Sequence, residues 1–114
     1  MNANDHMIFI VDDDVRIRRS LSGLLASHAM HAMAFGSAGE YVQAQKPDVP
    51  SCLILDVELP DINGLDLQKQ MAEGDHPPIV FITGHGDIPS SVRAIKHGAV
   101  DFLTKPFSDT DLMT

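Results

Sequence analysis

Met7-Ile8-Phe9-Ile10-Val11-Asp12-Asp13-Asp14 is an unbroken apolar run that gives way at once to three acids. A run that is apolar at successive positions, rather than at alternate ones, suits a strand covered on both faces, the environment of a parallel sheet flanked by helices. Four more such runs follow: Ala32-Met33-Ala34-Phe35, Leu53-Ile54-Leu55, Ile79-Val80-Phe81-Ile82 and Val100-Asp101-Phe102-Leu103. The second is the weakest, and the last is interrupted by Asp101.

The segments between these runs read as helices. Ile17, Leu21, Leu24 and Leu25 share a helical face, with Asp14 placed to cap the start before Val15. Ser37 followed by Glu40 has the capping-box spacing that satisfies exposed N–H groups at a helix start. A third helix, Gly64 to Ala72, follows the Pro60-Asp61-Ile62-Asn63-Gly64 loop. A fourth, Ser90 to Lys96, ends at Gly98, a C-cap position.

The order βαβαβαβαβ, with right-handed crossovers, predicts an α/β fold. It is a flavodoxin-like, doubly wound, five-stranded parallel sheet of strand order 2-1-3-4-5. Ser108 to Met113 resembles the first turn of a fifth helix, expected to be truncated at Thr114. Residues 1–114 read as one domain without repeats or linkers, with any effector domain absent.

Composition narrows the function. Eight Lys+Arg stand against 16 Asp+Glu, a formal charge of -8, which argues against direct nucleic acid binding and against an anionic membrane surface. No apolar run approaches the roughly 20 residues of a membrane span, and Met1 to Met7 lacks the basic and apolar regions of a secretory signal. A cytoplasmic location fits best. The single cysteine, Cys52, lies in an apolar run and reads as a small buried thiol. The histidines do not converge on a metal site: His28 and His31 straddle a turn, while His76, His85 and His97 sit beside Pro or Gly.

In open α/β sheets, sites form beyond the carboxyl ends of the strands, near the point where strand order reverses. Asp12, Asp13 and Asp14 follow the first apolar run, Asp56 the third, Thr83-Gly84 the fourth and Thr104-Lys105-Pro106 the fifth. Taken singly, each has a structural explanation: a capping acid, a loop acid, a strand threonine, a solvated lysine. Together they ring one crevice. Clustered carboxylates repel by a few kcal/mol per pair at an effective dielectric of about 20, so positive charge is needed. Lys105 supplies part of it. A hard divalent cation supplies the rest, and Mg²⁺, which takes one or two carboxylates, waters and a phosphate oxygen, points to phosphoryl chemistry.

The strings Ile10-Val11-Asp12-Asp13-Asp14, Leu55-Asp56-Val57-Glu58-Leu59-Pro60, Ile82-Thr83-Gly84-His85-Gly86-Asp87 and Asp101-Phe102-Leu103-Thr104-Lys105-Pro106-Phe107 resemble the receiver domains of two-component response regulators. The wording of the last two is most similar to FixJ-type receivers, which usually precede a LuxR-type helix-turn-helix domain. Part of it also occurs in NtrC-like activators. The resemblance implies that Asp56 is the phosphoacceptor, taking its phosphoryl group from a sensor histidine kinase or a small acyl phosphate. It implies that Asp13, Asp56 and the main-chain carbonyl of Glu58 bind Mg²⁺, that Asp12 orients metal-bound water, and that Lys105 and Thr83 contact phosphoryl oxygens. Thr83 and Phe102 would form the switch, the fourth helix and fifth strand the output face, and Lys105-Pro106 a cis peptide. Glu58 and His85 occupy positions that tune phosphoryl lifetime in the family. The implied partners are the kinase and the chain's own effector domain. A homodimer formed on phosphorylation is a further expectation, set against the truncated fifth helix on its face.

Two other classes fit less well. A Mg²⁺-dependent aspartyl-phosphate phosphohydrolase of the haloacid-dehalogenase type needs a Gly-Thr pair after its acids, where this chain has Val15-Arg16. A phosphorylation-independent pseudo-receiver usually lacks part of the acid, threonine and lysine set, all of which is present here. The chain is therefore expected to catalyse only its own phosphorylation and dephosphorylation.

Overall fold

A computed structural model describes residues 6–72, 74–84 and 88–104, apart from the side chains of 88–91 and 104. Five strands form one parallel sheet: β1 (Met7–Val11), β2 (Ala32–Phe35), β3 (Ser51–Asp56), β4 (Ile79–Thr83) and β5 (Asp101–Thr104). Their order is β2-β1-β3-β4-β5, as the apolar runs and the crossover rule predict. The connections are α1 (Val15–Ser27), α2 (Ala38–Gln43), α3 (Gly64–Met71) and α4 (Ile88–Lys96).

Each strand sends alternate side chains to opposite faces, so the continuous apolar runs build two cores. On one face Phe9, Val11, Leu53, Leu55 and Phe81 pack with Tyr41 of α2, Leu65 and Leu67 of α3 and Ala94 of α4. On the other, Ile10, Ile54 and Ile82 meet Leu21 and Leu25 of α1. The central strands are sealed: Ile10, Val11, Leu53, Leu55, Phe81 and Ile82 are each 0% exposed. At about 1.5–3 kcal/mol for each such side chain, this burial locks the strand register, and through it the residues at the strand ends.

The predicted caps are present. Asp14 Oδ1 accepts from the Arg16 N–H at 2.9 Å. Ser37 Oγ accepts from the Glu40 N–H at 3.2 Å, and Glu40 Oε2 accepts from the Gly36 N–H at 2.6 Å. Helix α4 closes with a Schellman motif: Gly98 has φ +98°, its N–H donates to the Ile95 carbonyl, and the Ala99 N–H donates to that of Ala94, both at 3.0 Å.

Some boundaries differ from the sequence reading. Asp56 and Thr83 are the last residues of their strands rather than the first beyond them, because each still pairs with the neighbouring strand. Helix α4 begins at Ile88, two residues before Ser90. Val100 is excluded from β5 and is 64% exposed, although its N–H donates to the Ile79 carbonyl of β4 at 2.7 Å. Cys52 is only half-buried, and burial pushes its thiol pKa up, away from thiolate reactivity. The expected fifth-helix turn at Ser108 to Met113 lies outside the described residues.

Candidate functional site

Register brings the acids together. Val11 pairs with Leu55, so the residues that follow, Asp12 and Asp56, leave the sheet side by side. Asp56 pairs in turn with Ile82, which sets Thr83 at the same rim. Asp12 is 0% exposed, Asp56 4% and Thr83 1%, whereas Asp13 is exposed. Carboxylate oxygens of Asp12, Asp13 and Asp56 all lie within 4.8 Å of one another. Thus two sealed acids and one solvent-facing acid converge at the strand-order switch point.

At that separation each pair of ionised carboxylates repels by about 3 kcal/mol at an effective dielectric of about 20. The backbone offsets part of this. Asp12 Oδ1 accepts from the Asp14 N–H at 2.9 Å, and Asp56 Oδ1 accepts from the Glu58 N–H at 3.3 Å. Arg18 of α1 donates from Nη1 to the Asp12 carbonyl oxygen at 2.8 Å and carries a positive charge to the rim.

The donor set suits a hard cation. All three groups are carboxylates, and Mg²⁺ ligands on opposite sides of an octahedron stand about 4.2 Å apart, so small rotamer adjustments or an intervening water close the gap. The acidic cluster is therefore compatible with Mg²⁺. Among the described residues it is the one group of three or more His, Cys, Asp or Glu side chains close enough to share an ion. None of the described histidines joins it.

The remaining sequence candidates are placed as follows. Glu58 is exposed, and its backbone bridges to Asn63 across the loop between β3 and α3. Phe102 pairs with Phe81 in register and packs half-buried against it, with ring centroids 6.0 Å apart. Lys105, the Lys105-Pro106 bond and His85 lie outside the described residues. A hollow of about 780 Å³, bordered by Tyr41, Lys46, Pro50 and Pro78, lies at the opposite end of the strands and is lined by none of the site residues.

Sequence reasoning missed three supporting residues. Gly64 donates its N–H to the Val57 carbonyl at 2.7 Å and lies against the Asp56 backbone. Asp61 reaches across to α2, where Oδ1 accepts from the Ala38 N–H at 3.2 Å and Oδ2 from the Gly39 N–H at 2.9 Å. Arg18 is the third. None has a local pattern that marks it.

The model of the response regulator receiver domain matches residues 8–114. Nodulation protein W of Bradyrhizobium diazoefficiens is 56% identical over 108 residues, which cover 94% of this chain and 48% of that protein. Transcriptional regulatory protein FixJ of Azorhizobium caulinodans is 40% identical, with 93% of this chain and 51% of that protein covered. Among solved structures, FixJ-N superposes with a TM-score of 0.83 at 38% identity, covering 96% of this chain and 89% of that one. The chain belongs to the response regulator receiver domain family, its FixJ-like branch, and its function is phosphorelay signal transduction. It is a signalling domain, and it spans about half the length of the curated relatives it matches. No helix among the described residues is long and apolar enough to cross a membrane.

Proposed function

We propose that Asp56 accepts a phosphoryl group from a sensor histidine kinase in a Mg²⁺-dependent step, and that Thr83 and Phe102 convert the event into a change of the α4–β5 face. The observation that carries this reading is the convergence of Asp12, Asp13 and Asp56 within 4.8 Å at the ends of two adjacent strands. In it, an Asp56 carboxylate oxygen forms a bond to phosphorus as the bond from phosphorus to the donor imidazole nitrogen breaks. The leaving imidazole keeps the electron pair. Asp13, Asp56 and the Glu58 carbonyl would hold Mg²⁺, which when bound would supply charge neutralisation to the transferring oxygens. Asp12 orients water at that position, Thr83 donates its hydroxyl to one phosphoryl oxygen, and Lys105 pairs with another. Beyond self-phosphorylation and self-dephosphorylation, no turnover is assigned to the chain.

The output goes to an effector domain of the whole protein. The transcriptional role in the name of the FixJ relative favours a helix-turn-helix DNA-binding effector, with this acidic domain making no nucleic acid contact itself. Val92, Ile95 and Val100, at 46%, 48% and 64% exposure, give the α4–β5 face an apolar surface suited to pairing two copies on phosphorylation. A cytoplasmic setting, where the kinase presents its phosphohistidine, completes the reading.

The test is incubation with acetyl phosphate and Mg²⁺, read by intact mass. One acid-stable, base-labile phosphoryl group is expected, absent in Asp56→Asn and without Mg²⁺. Labelling that persists in Asp56→Asn overturns the assignment.

A further inference from the structure

The loop from Val57 to Asn63 joins β3 to α3 and carries the Glu58 main chain directly beside Asp56. Two ties at its ends are built from its own backbone: the Val57 N–H donates to the Ile82 carbonyl at 3.1 Å, and the Gly64 N–H closes onto the Val57 carbonyl. Its middle is held differently. The Asp61 carboxylate reaches a helix 22 and 23 positions earlier in the chain and takes both of its first N–H groups, Ala38 and Gly39. Ser37 satisfies the next, that of Glu40, so α2 is capped from two directions. Gly39 suits the arrangement, since a Cβ there would lie 3.3 Å from Asp61 Oδ2.

We infer that Asp61 is a positioning residue of the acceptor site, one that fixes the Glu58 main chain toward the acid cluster by tying the Val57–Asn63 loop to the start of α2. The inference rests on the metal-dependent acceptor reading above. A group that only capped α2 could come from a neighbouring residue, as the Ser37 hydroxyl does. Asp61 instead reaches from another loop and places both oxygens on α2, and its charge favours the N–H groups at the positive end of the helix. Leu59 and Ile62, half-buried, pack the loop down against the core, whereas Pro60 and Asp61 are exposed, so its outer edge is joined to α2 through the Asp61 carboxylate. Release of Asp61 frees the loop while β3, buried in the sheet, keeps Asp56 in place.

The test separates positioning from capping. Mg²⁺ is titrated into the parent chain, Asp61→Ala, Ser37→Ala and Asp13→Ala, with NMR amide shifts as readout. Amide hydrogen exchange is measured on the same proteins without metal. Loss of groups that orient metal ligands typically costs about 10–100-fold in affinity, and a loop that carries a single main-chain ligand, still packed on the core, stands at or below that lower limit, so Asp61→Ala is expected to weaken Mg²⁺ about three- to tenfold. Ser37→Ala, which loosens α2 without touching the loop, is expected to stay within about twofold of the parent. In the metal-free protein, exchange of the Gly64 amide should accelerate in Asp61→Ala and not in Ser37→Ala. A parent-like affinity in Asp61→Ala, or equal weakening in Ser37→Ala, overturns the positioning role while leaving the acceptor site intact. Mg²⁺ binding that survives Asp13→Ala removes the acid site itself, and this inference with it.

Discussion

A methyl group placed on Gly64 would lie 2.3 Å from the carbonyl oxygen of Asp56, and 3.1 Å from both the Asp56 carbonyl carbon and Val57 Cα. The first residue of α3 therefore rests on the backbone of the proposed acceptor, a contact that only a residue without Cβ allows. Two opposing effects follow for Gly64→Ala. Alanine favours a helix over glycine by about 1 kcal/mol. Overpacking against backbone, which cannot rotate out of the way, costs about 1–3 kcal/mol or more. Overpacking wins, and a net loss of about 1–2 kcal/mol is expected in a urea unfolding curve, with weaker Mg²⁺ binding. An unchanged or raised midpoint would show that the loop and helix separate at little cost.

Ala29 presents the reverse case. It follows α1 with φ +60°, its N–H donates to the Ala26 carbonyl at 3.0 Å, and the Met30 N–H reaches that of Leu25 at 2.9 Å. This is the same helix-ending motif that α4 closes with Gly98. A left-handed backbone costs an alanine roughly 1–2 kcal/mol, and glycine gives back part of that gain through its freer unfolded chain. Ala29→Gly is expected to raise stability by about 0.5–1 kcal/mol, seen as a higher urea midpoint with unchanged slope. A lower midpoint would mean that the alanine methyl contributes more packing than its exposed position suggests.

These two residues also mark where the sequence stops being legible. The acids at 12, 13 and 56 and the threonine at 83 could be placed together because strand order and register follow from apolar runs and crossover handedness, both of which are local or topological. Capping by Asp14 and Ser37 was visible for the same reason. Asp61 could not be found that way, since its partners are N–H groups over 20 positions off and its spacing resembles any turn acid. Ala29 carries no sign of a left-handed backbone, which composition assigns to glycine. Val100 misleads in the other direction: an apolar residue beside a strand reads as part of it, whereas its side chain stands at the surface just before β5 begins.

Gln68 decides how α4 is held to α3. It is 1% exposed, and Nε2 donates across to the end of α4, to the carbonyl of Ala94 at 3.0 Å, which also accepts from the Ala99 N–H, and to that of His97 at 3.2 Å. The same two helices share an Arg93–Asp66 ion pair at 3.4 Å, with side chains 50% and 57% exposed. Exposed pairs of that kind contribute about 0–1 kcal/mol. Each hydrogen bond lost from a buried side chain costs about 0.5–1.5 kcal/mol, and two are lost here. Gln68→Leu, which keeps the volume and removes the donor, is therefore expected to destabilise the fold by about 2 kcal/mol, against under about 0.5 for Asp66→Ala. Comparable losses in the two variants, measured as denaturant midpoints, would show that the amide is not the tie between these helices.

The acid limb of stability should carry the signature of Asp61. The Gly39 N–H, and after it the Ala38 N–H, hold this carboxylate pKa below its ordinary value. A depressed folded-state pKa means that the ionised form is favoured by folding. The contribution is thus fully present above the unfolded pKa of about 3.9 and is lost as pH falls through the lower folded value. Asp61→Asn cannot ionise, while its other titrating groups match those of the parent and cancel when the two are compared. The stability gap between parent and Asp61→Asn is therefore expected to stay constant from about pH 7 to pH 5 and to shrink as the pH drops below about 4. Urea midpoints of both proteins across that range measure it. A gap that keeps its full size at the acid end would assign the tie to amide geometry alone, and the carboxylate charge would then have no part in holding the loop against α2.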